Sequence, residues 1–177
     1  SLELARQLVD AAIEAGADCV KFQLRNRDAL YRRKADGSRA EDLGVEYIQD
    51  LLDKVELSHD EHREVRAYCA QKCISYLCTP WDEPSVDALA CFDVAALKIA
   101  SADLCNPYQI AKAASLGKPL ILSTGMSFEH EIVRAIEQLQ ALGTPFALLH
   151  CNSAYPAPES DIQLGYLRRL QELHGLI

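Results

Sequence analysis

The sequence lacks a long apolar run and has fewer basic than acidic residues. No apolar stretch approaches the roughly 18 residues that a membrane-spanning helix requires, and no signal-peptide pattern opens the chain. Lysine and arginine number 18 against 26 aspartates and glutamates, which gives a formal net charge of −8 over 177 residues. Because an acidic surface repels nucleic acid and anionic lipid, we predict that the protein binds neither nucleic acid nor membranes. A locally basic pocket in such a protein can still bind a small anion.

The seven cysteines have no spacing that indicates a metal site or a redox pair. They are Cys19, Cys69, Cys73, Cys78, Cys91, Cys105 and Cys151. No CxxC occurs, and no two pairs stand at a zinc-site distance. Several lie in apolar stretches, where a free cysteine packs as a small hydrophobic residue. Since disulfides are rare in reducing compartments, we expect free thiols and a cytoplasmic location.

Helical and strand patterns alternate along the chain. Helices are predicted at 2–15, 46–55, 59–72, 83–91, 107–116, 128–142 and 161–174. Short apolar strands are predicted at 18–23, 73–78, 94–100, 119–122 and 146–150. Strands that alternate with helices form a parallel sheet joined by right-handed crossovers. The polar residues 24–45 form a long loop after the first strand, which is a common place for function.

Two observations distinguish between the possible parallel α/β folds: the absence of one motif and the number of strands. No G-x-G-x-x-G follows the first strand, which argues against a dinucleotide-binding fold. A (β/α)8 barrel has eight strands and about 250 residues. We therefore predict an α/β fold, an incomplete TIM barrel with about five of the eight strands. One partial domain covers 1–177, without the first strand and the last two strands of the barrel.

Polar residues stand at the end of every predicted strand. The active site of a barrel lies at the C-terminal ends of its strands, so these residues are the candidates for ligand contact. They are Lys21, Gln23, Thr79, Trp81, Lys98, Ser101, Asp103, Ser123, Thr124, His150, Asn152, Ser153 and Tyr155.

Lys21 and Lys98 each interrupt an apolar strand. An unpaired ammonium is costly to bury, so an anionic group should face each of them. Two cations with hydroxyl groups nearby suit a small phosphate or carboxylate that carries several charges. Each lysine could instead pair with an internal carboxylate or extend to the rim. A barrel lysine can also form a Schiff base with a carbonyl substrate, and residue type alone does not exclude this for Lys98.

Three further features are given an ordinary structural interpretation first. His59 and His62 stand three apart at a helix start, a spacing that usually marks capping or surface residues. His150 is interpreted as a strand-end residue rather than a metal ligand, because zinc requires further ligands at matching spacing. The arginine-rich residues 24–37 form a solvated flap, or a lid that closes over the anion.

Five short segments stand in order at the spacing of strand–helix units. They are Val20-Lys21-Phe22-Gln23, Leu77-Cys78-Thr79-Pro80-Trp81-Asp82, Lys98-Ile99-Ala100-Ser101-Ala102-Asp103, Leu122-Ser123-Thr124-Gly125-Met126 and Leu149-His150-Cys151-Asn152-Ser153-Ala154-Tyr155-Pro156. Together, over nearly the whole chain, they resemble the N-acetylneuraminate synthase family. That family includes legionaminic and pseudaminic acid synthases and spore-coat polysaccharide proteins.

The resemblance implies an enzyme that condenses phosphoenolpyruvate with an open-chain N-acetylmannosamine-type amino sugar, giving a nonulosonic (sialic) acid and phosphate. It implies a divalent metal, manganese, that polarises the sugar aldehyde as a Lewis acid. By this resemblance Asp103 and Tyr155 contact the sugar, and Gln23 is a further substrate-binding candidate. The phosphoenolpyruvate ligands it implies are Lys21, Thr79, Lys98, Ser101, Ser123 and Ser153.

The chain departs from the family pattern in two places. Ala102 stands before Asp103 where members often have glycine, which leaves the backbone less free to take a positive φ. Ser153 is asparagine in some members, and serine reaches less far.

The resemblance also implies parts that lie outside this sequence. These are an acid–base glutamate, the metal ligands and a C-terminal antifreeze-like domain that acts in a homodimer. The remaining alternative is a truncated barrel fragment that binds an anion without turnover, or that associates with another copy through its open sheet edges.

Overall fold

A computed structural model describes residues 1–31, 52, 54–154 and 156–174. The chain forms two compact units, Ser1–Val94 and Ala95–Ile177, and each is described by itself. No helix among the described residues combines the length and the apolar character that spanning a bilayer requires.

The first unit combines two parallel strands with helices. Strand β1 (Cys19–Leu24) runs parallel to β2 (Ser75–Pro80), in a register that places Gln23 opposite Thr79. The helices whose two ends are both described are α1 (Leu2–Glu14), the short α2 (Arg27–Leu30), α3 (His59–Gln71) and α4 (Glu83–Ala90).

Side-chain caps define where α3 and α4 begin. Ser58 Oγ accepts a hydrogen bond from the Glu61 N–H at 3.2 Å, and the Glu61 carboxylate accepts one from the Ser58 N–H at 2.8 Å. This reciprocal pair is a capping box. At the start of α4, Asp82 Oδ1 accepts from the Ser85 N–H at 2.7 Å. Both helices therefore start at residues whose side chains satisfy backbone donors that the first turn leaves unbonded.

The core of the first unit is formed by one face of each element. Val9 of α1, Val65 and Cys69 of α3, and Tyr76 and Cys78 of β2 are buried. Val65 and Cys69 are four residues apart on a helix, and Tyr76 and Cys78 are two apart on a strand. The side chains of each pair therefore point to the same side of their element. Burial of an aliphatic side chain of this kind stabilises the fold by roughly 1.5–3 kcal/mol.

The second unit is a three-stranded parallel sheet with its own helices. Strands β3 (Leu97–Ile99), β4 (Leu120–Ser123) and β5 (Phe146–Leu149) pair in that order. The α-helices are α5 (Pro107–Ala114), α6 (Glu129–Ala141) and α7 (Tyr166–His174), and 3-10 turns cover Ser101–Asp103 and Glu159–Asp161.

Alternation along these strands separates the core from the candidate site. Leu97 and Ile99 of β3 and Leu120 and Leu122 of β4 are buried, as is Leu148 of β5. These residues form the core of the unit together with the inward faces of its helices. The side chains of the intervening residues point to the other face of the sheet. Lys98 and Ser123 belong to that second face, because Lys98 is in register with Ile121, two residues before Ser123.

The predicted order of elements is confirmed, with shifts at their ends. All five predicted strands are present, and the strands are parallel within each unit. Strand β2 begins two residues later than predicted, because Cys73 adopts a left-handed φ of 59° in the turn after α3. Strand β3 is shorter than predicted, and the last helix begins at Tyr166. Most of the predicted helix 46–55 and of the loop 24–45 lies outside the described residues.

Candidate functional site

Lys98 is a buried cation in the second unit, bonded to a strand-end hydroxyl. Its side chain is 7% exposed. The Nζ atom donates a hydrogen bond to Ser123 Oγ and another to the Ile99 carbonyl at 2.6 Å. Ser123 is the last residue of β4 and is also 7% exposed. Two of the candidate strand-end residues, Lys98 and Ser123, are therefore in direct contact.

Two further serines converge on Gly125, just after β4. A methyl group built on Gly125 would lie 2.9 Å from Ser101 Oγ and 2.9 Å from Ser153 Oγ. It would also lie 3.3 Å from the Cys151 carbonyl oxygen. A glycine leaves room here for the hydroxyl groups, which approach the backbone closely, and it does not adopt a left-handed φ. Three strand-end segments therefore bring hydroxyl groups to one small region.

The ends of β4 and β5 are joined by hydrogen bonds that fix this region. The Thr124 N–H and the Thr124 hydroxyl both donate to the Leu149 carbonyl, at 3.0 Å and 2.9 Å. The Cys151 thiol donates to Ser123 Oγ at 3.2 Å. Cys151 was not among the residues singled out from the sequence, although it lies inside the segment 149–156. The contact between Cys151 and Ser123 becomes visible only from the register of β4 and β5.

In the first unit, the predicted residues of β1 and β2 share one face of the strand pair. Gln23 is in register with Thr79, and Lys21 lies two residues before Gln23. Thr79 is buried. Lys21 and Gln23, however, are exposed, and β1 is buried only at Leu24. The interpretation of β1 as a buried strand with a buried lysine is wrong, because few side chains of the described residues cover this face of β1.

Arg25 and Trp81 form a second feature of this unit that sequence reasoning did not pair. The Arg25 guanidinium carbon lies 4.7 Å from the centroid of the Trp81 ring, and Arg25 donates a hydrogen bond to Gln23 Oε1. Burial lowers the pKa of Arg25 from its usual value. Both residues directly follow strand ends, which is the only signal in the sequence that could have paired them.

The structure describes one of the two residues that were predicted to contact the sugar. Asp103 ends the 3-10 turn that follows β3 and is half-buried. Tyr155 lies outside the described residues.

A metal site does not form among the described residues. No group of three His, Cys, Asp or Glu side chains in 1–31, 52, 54–154 and 156–174 could hold an ion. His150 packs against Tyr166, with ring centroids 5.7 Å apart.

The chain matches the model of the NeuB family over residues 8–177. It belongs to the NeuB family. Among curated relatives, it is 34% identical to the N,N'-diacetyllegionaminic acid synthase of Legionella pneumophila, over 97% of this chain and 50% of that protein. It is 30% identical to the human N-acetylneuraminate-9-phosphate synthase, over 97% of this chain and 48% of that protein. The chain thus spans about half the length of these relatives.

A solved structure shows the same fold. The N-acetylneuraminic acid (sialic acid) synthetase of Leptospira borgpetersenii, in complex with citrate, superposes with a TM-score of 0.86 at 30% identity. The match covers 99% of this chain and 57% of that one. The predicted α/β fold, an incomplete barrel, is therefore confirmed, and so is the resemblance to the sialic acid synthase family.

Proposed function

We propose that this chain forms part of a synthase that condenses phosphoenolpyruvate with an N-acetylmannosamine-type amino sugar. The observation that carries the proposal is the buried Lys98 ammonium bonded to Ser123, next to the hydroxyl groups of Ser101 and Ser153 at Gly125. A cation with several hydroxyl donors is suited to bind a phosphate or carboxylate. The family's relatives, which are sugar-acid synthases, support the same substrate class.

The proposed reaction forms one carbon–carbon bond. C3 of phosphoenolpyruvate attacks the sugar aldehyde, whose oxygen takes up a proton. Water then adds at C2, and the carbon–oxygen bond to phosphate breaks as the 2-keto acid forms. The products are a nonulosonic acid and inorganic phosphate, so every atom of the two substrates and the water is accounted for.

The roles of the residues follow from their chemistry. The Lys98 ammonium and the Ser101, Ser123 and Ser153 hydroxyls donate to the phosphate or carboxylate oxygens. In the first unit, Lys21, Gln23 and Thr79 are proposed as substrate-binding residues. Asp103 and Tyr155 are proposed to contact the sugar hydroxyls. The divalent metal, the homodimer and a cytoplasmic location stay predictions for the whole protein.

The aldolase alternative is less well supported, because the named relatives of this chain are synthases. A Schiff-base lysine attacks as a neutral amine through its nitrogen lone pair. Lys98 Nζ donates to the Ile99 carbonyl and to Ser123 Oγ. A neutral amine has two hydrogens and could make both contacts while it keeps its lone pair, so these contacts alone do not separate the two reactions. Borohydride reduction in the presence of a keto acid tests this directly, because only the aldolase predicts a covalent adduct.

The test of the proposed function is calorimetry with phosphoenolpyruvate on the longest natural chain that contains this sequence. Saturable binding that Lys98→Ala abolishes, and that the exposed Lys54→Ala leaves unchanged, is the expected result. Phosphate release that requires both phosphoenolpyruvate and an N-acetylated mannosamine-type sugar completes the assignment. Binding without phosphate release for any such sugar would favour an anion-binding protein without turnover.

A further inference from the structure

Ser123 contacts both Lys98 and Cys151, so Cys151 can influence the anion site through the Ser123 hydroxyl. A serine hydroxyl has two acceptor lone pairs and one hydrogen to donate. Lys98 Nζ donates to Ser123 Oγ, and the Cys151 thiol donates to the same atom at 3.2 Å. Both acceptor positions of Ser123 are then used by protein donors.

The hydroxyl hydrogen of Ser123 has only one direction left. It cannot point at Lys98, which has no acceptor, and the position toward Cys151 is taken by the thiol hydrogen. It therefore points away from both. A hydroxyl held in this way presents a donor to a ligand without first having to reorient.

Cys151 is tied to the same region by its backbone. Its carbonyl oxygen lies 3.3 Å from where a methyl group on Gly125 would stand, beside the Ser101 and Ser153 hydroxyls. The bonds from Thr124 to the Leu149 carbonyl hold the end of β5 against the end of β4. The thiol is half-buried, so its contact with Ser123 is partly shielded from water.

We propose that Cys151 is a positioning residue that orients the Ser123 hydroxyl as a donor to the anionic substrate. The proposal rests on the proposed function, since it concerns the same anion site. Cys151 itself touches no substrate atom in this proposal. It acts only through Ser123.

The experiment measures phosphoenolpyruvate affinity for five variants of the longest natural chain. Cys151→Ala removes the thiol donor, and the affinity should fall about three- to tenfold, the range of one hydrogen bond. Cys151→Ser keeps a donor of similar shape and should restore most of the affinity. Cys91→Ala, at an exposed cysteine of the first unit, is the matched control and should bind as the wild type does. Circular dichroism and thermal melts establish that each variant is folded.

The last two variants, Ser123→Ala alone and Ser123→Ala combined with Cys151→Ala, separate positioning from general damage. If Cys151 acts through Ser123, then adding Cys151→Ala to Ser123→Ala should cause no further loss of affinity, because the contact that it supports is already gone. In steady-state assays, Cys151→Ala should raise KM for phosphoenolpyruvate while kcat changes little.

Each outcome has a defined meaning. Losses that add in the double variant, or a Cys151→Ala variant with wild-type affinity, would overturn this inference while phosphoenolpyruvate binding still stood. A wild-type protein that does not bind phosphoenolpyruvate at all would overturn the proposed function, and this inference with it.

Discussion

The Nδ1 atom of His62 lies 2.8 Å from the phenolic oxygen of Tyr76, and both side chains are buried in the first unit. Phe22 completes the cluster, with its ring stacked on Tyr76 at 5.7 Å and edge-on to His62 at 6.2 Å. The interpretation of His62 as a capping or surface residue is therefore wrong. His62 belongs to the inward face of α3 together with Val65 and Cys69.

The buried imidazole should make the stability of the protein depend on pH. Burial lowers the pKa of His62 from 6.5 to about 4, and nearby His59 adds to the effect. Between these two values the unfolded chain binds a proton that the folded protein does not. The free energy of unfolding should therefore be largest above pH 6.5 and should fall by up to about 3 kcal/mol as the pH approaches 4.

Urea unfolding at several pH values across this window measures the effect. His62→Gln keeps a polar side chain near Tyr76 but cannot titrate, so its stability should change much less with pH. His130→Gln, at an exposed histidine of the second unit, is the control and should keep the wild-type slope. If the free energy of unfolding changed with pH as steeply in His62→Gln as in the wild type, His62 could not be the group responsible.

The local parts of this structure could be predicted from the sequence, since they depend on neighbouring residues. The alternation of strands and helices follows from apolar spacing, and the cap of α3 is Ser58, one of the residue types that are common at helix starts. The polar residues at strand ends were also identified, because the carboxyl ends of parallel strands define the site in any barrel.

The contacts between distant residues could not be predicted in this way. His62 and Tyr76 are on different elements, and so are Ser123 and Cys151. Such pairs depend on strand register and on how helices pack, which one sequence does not specify. The exposure of Lys21 has the same origin, because burial of a strand face depends on what covers it and not on the strand's own residues.

Asp82 should contribute more to stability than an ordinary helix cap. Its Oδ1 accepts from the Ser85 N–H at 2.7 Å, and its Oδ2 accepts from the Asn26 N–H at 2.6 Å, so one buried side chain joins α4 to the end of β1. Asp82→Ala leaves both donors unsatisfied and should cost about 2–4 kcal/mol. Ser58→Ala, at an exposed cap, should cost about 1 kcal/mol. If chemical unfolding showed the same loss of free energy of unfolding for Asp82→Ala and Ser58→Ala, the bond to Asn26 would add nothing to stability.

The stacking of Arg25 on Trp81 can be followed by fluorescence. Trp81 is the single tryptophan of the chain, so its emission reports this position alone. Arg25→Ala uncovers one face of the indole, and the emission maximum should shift to longer wavelength. The loss of a partly buried cation–π contact should also reduce stability by about 0.5–1 kcal/mol. Arg63→Ala removes a similar contact with Phe92 and should leave the emission unchanged. An unshifted Arg25→Ala spectrum would mean that the stack does not persist in solution.

Gly125 should be essential for anion binding but not for folding. A methyl group there would stand 2.9 Å from both the Ser101 and the Ser153 hydroxyl oxygens, which is closer than a carbon atom can approach. These hydroxyls are the ends of side chains and can rotate away, and the Cys151 carbonyl oxygen at 3.3 Å needs to move by only a few tenths of an ångström, so the unit can still fold. Gly125→Ala should therefore lower phosphoenolpyruvate affinity at least about tenfold, or 1.4 kcal/mol, while the melting temperature changes little.

Gly165→Ala is the matched control for Gly125→Ala, because nothing lies within 4 Å of the added methyl group and Gly165 has no positive φ. Calorimetry and thermal melts on both variants measure the two effects separately. If Gly125→Ala bound phosphoenolpyruvate as tightly as Gly165→Ala does, the serines around Gly125 could not be its ligands, and the anion site would have to lie elsewhere on the strand ends.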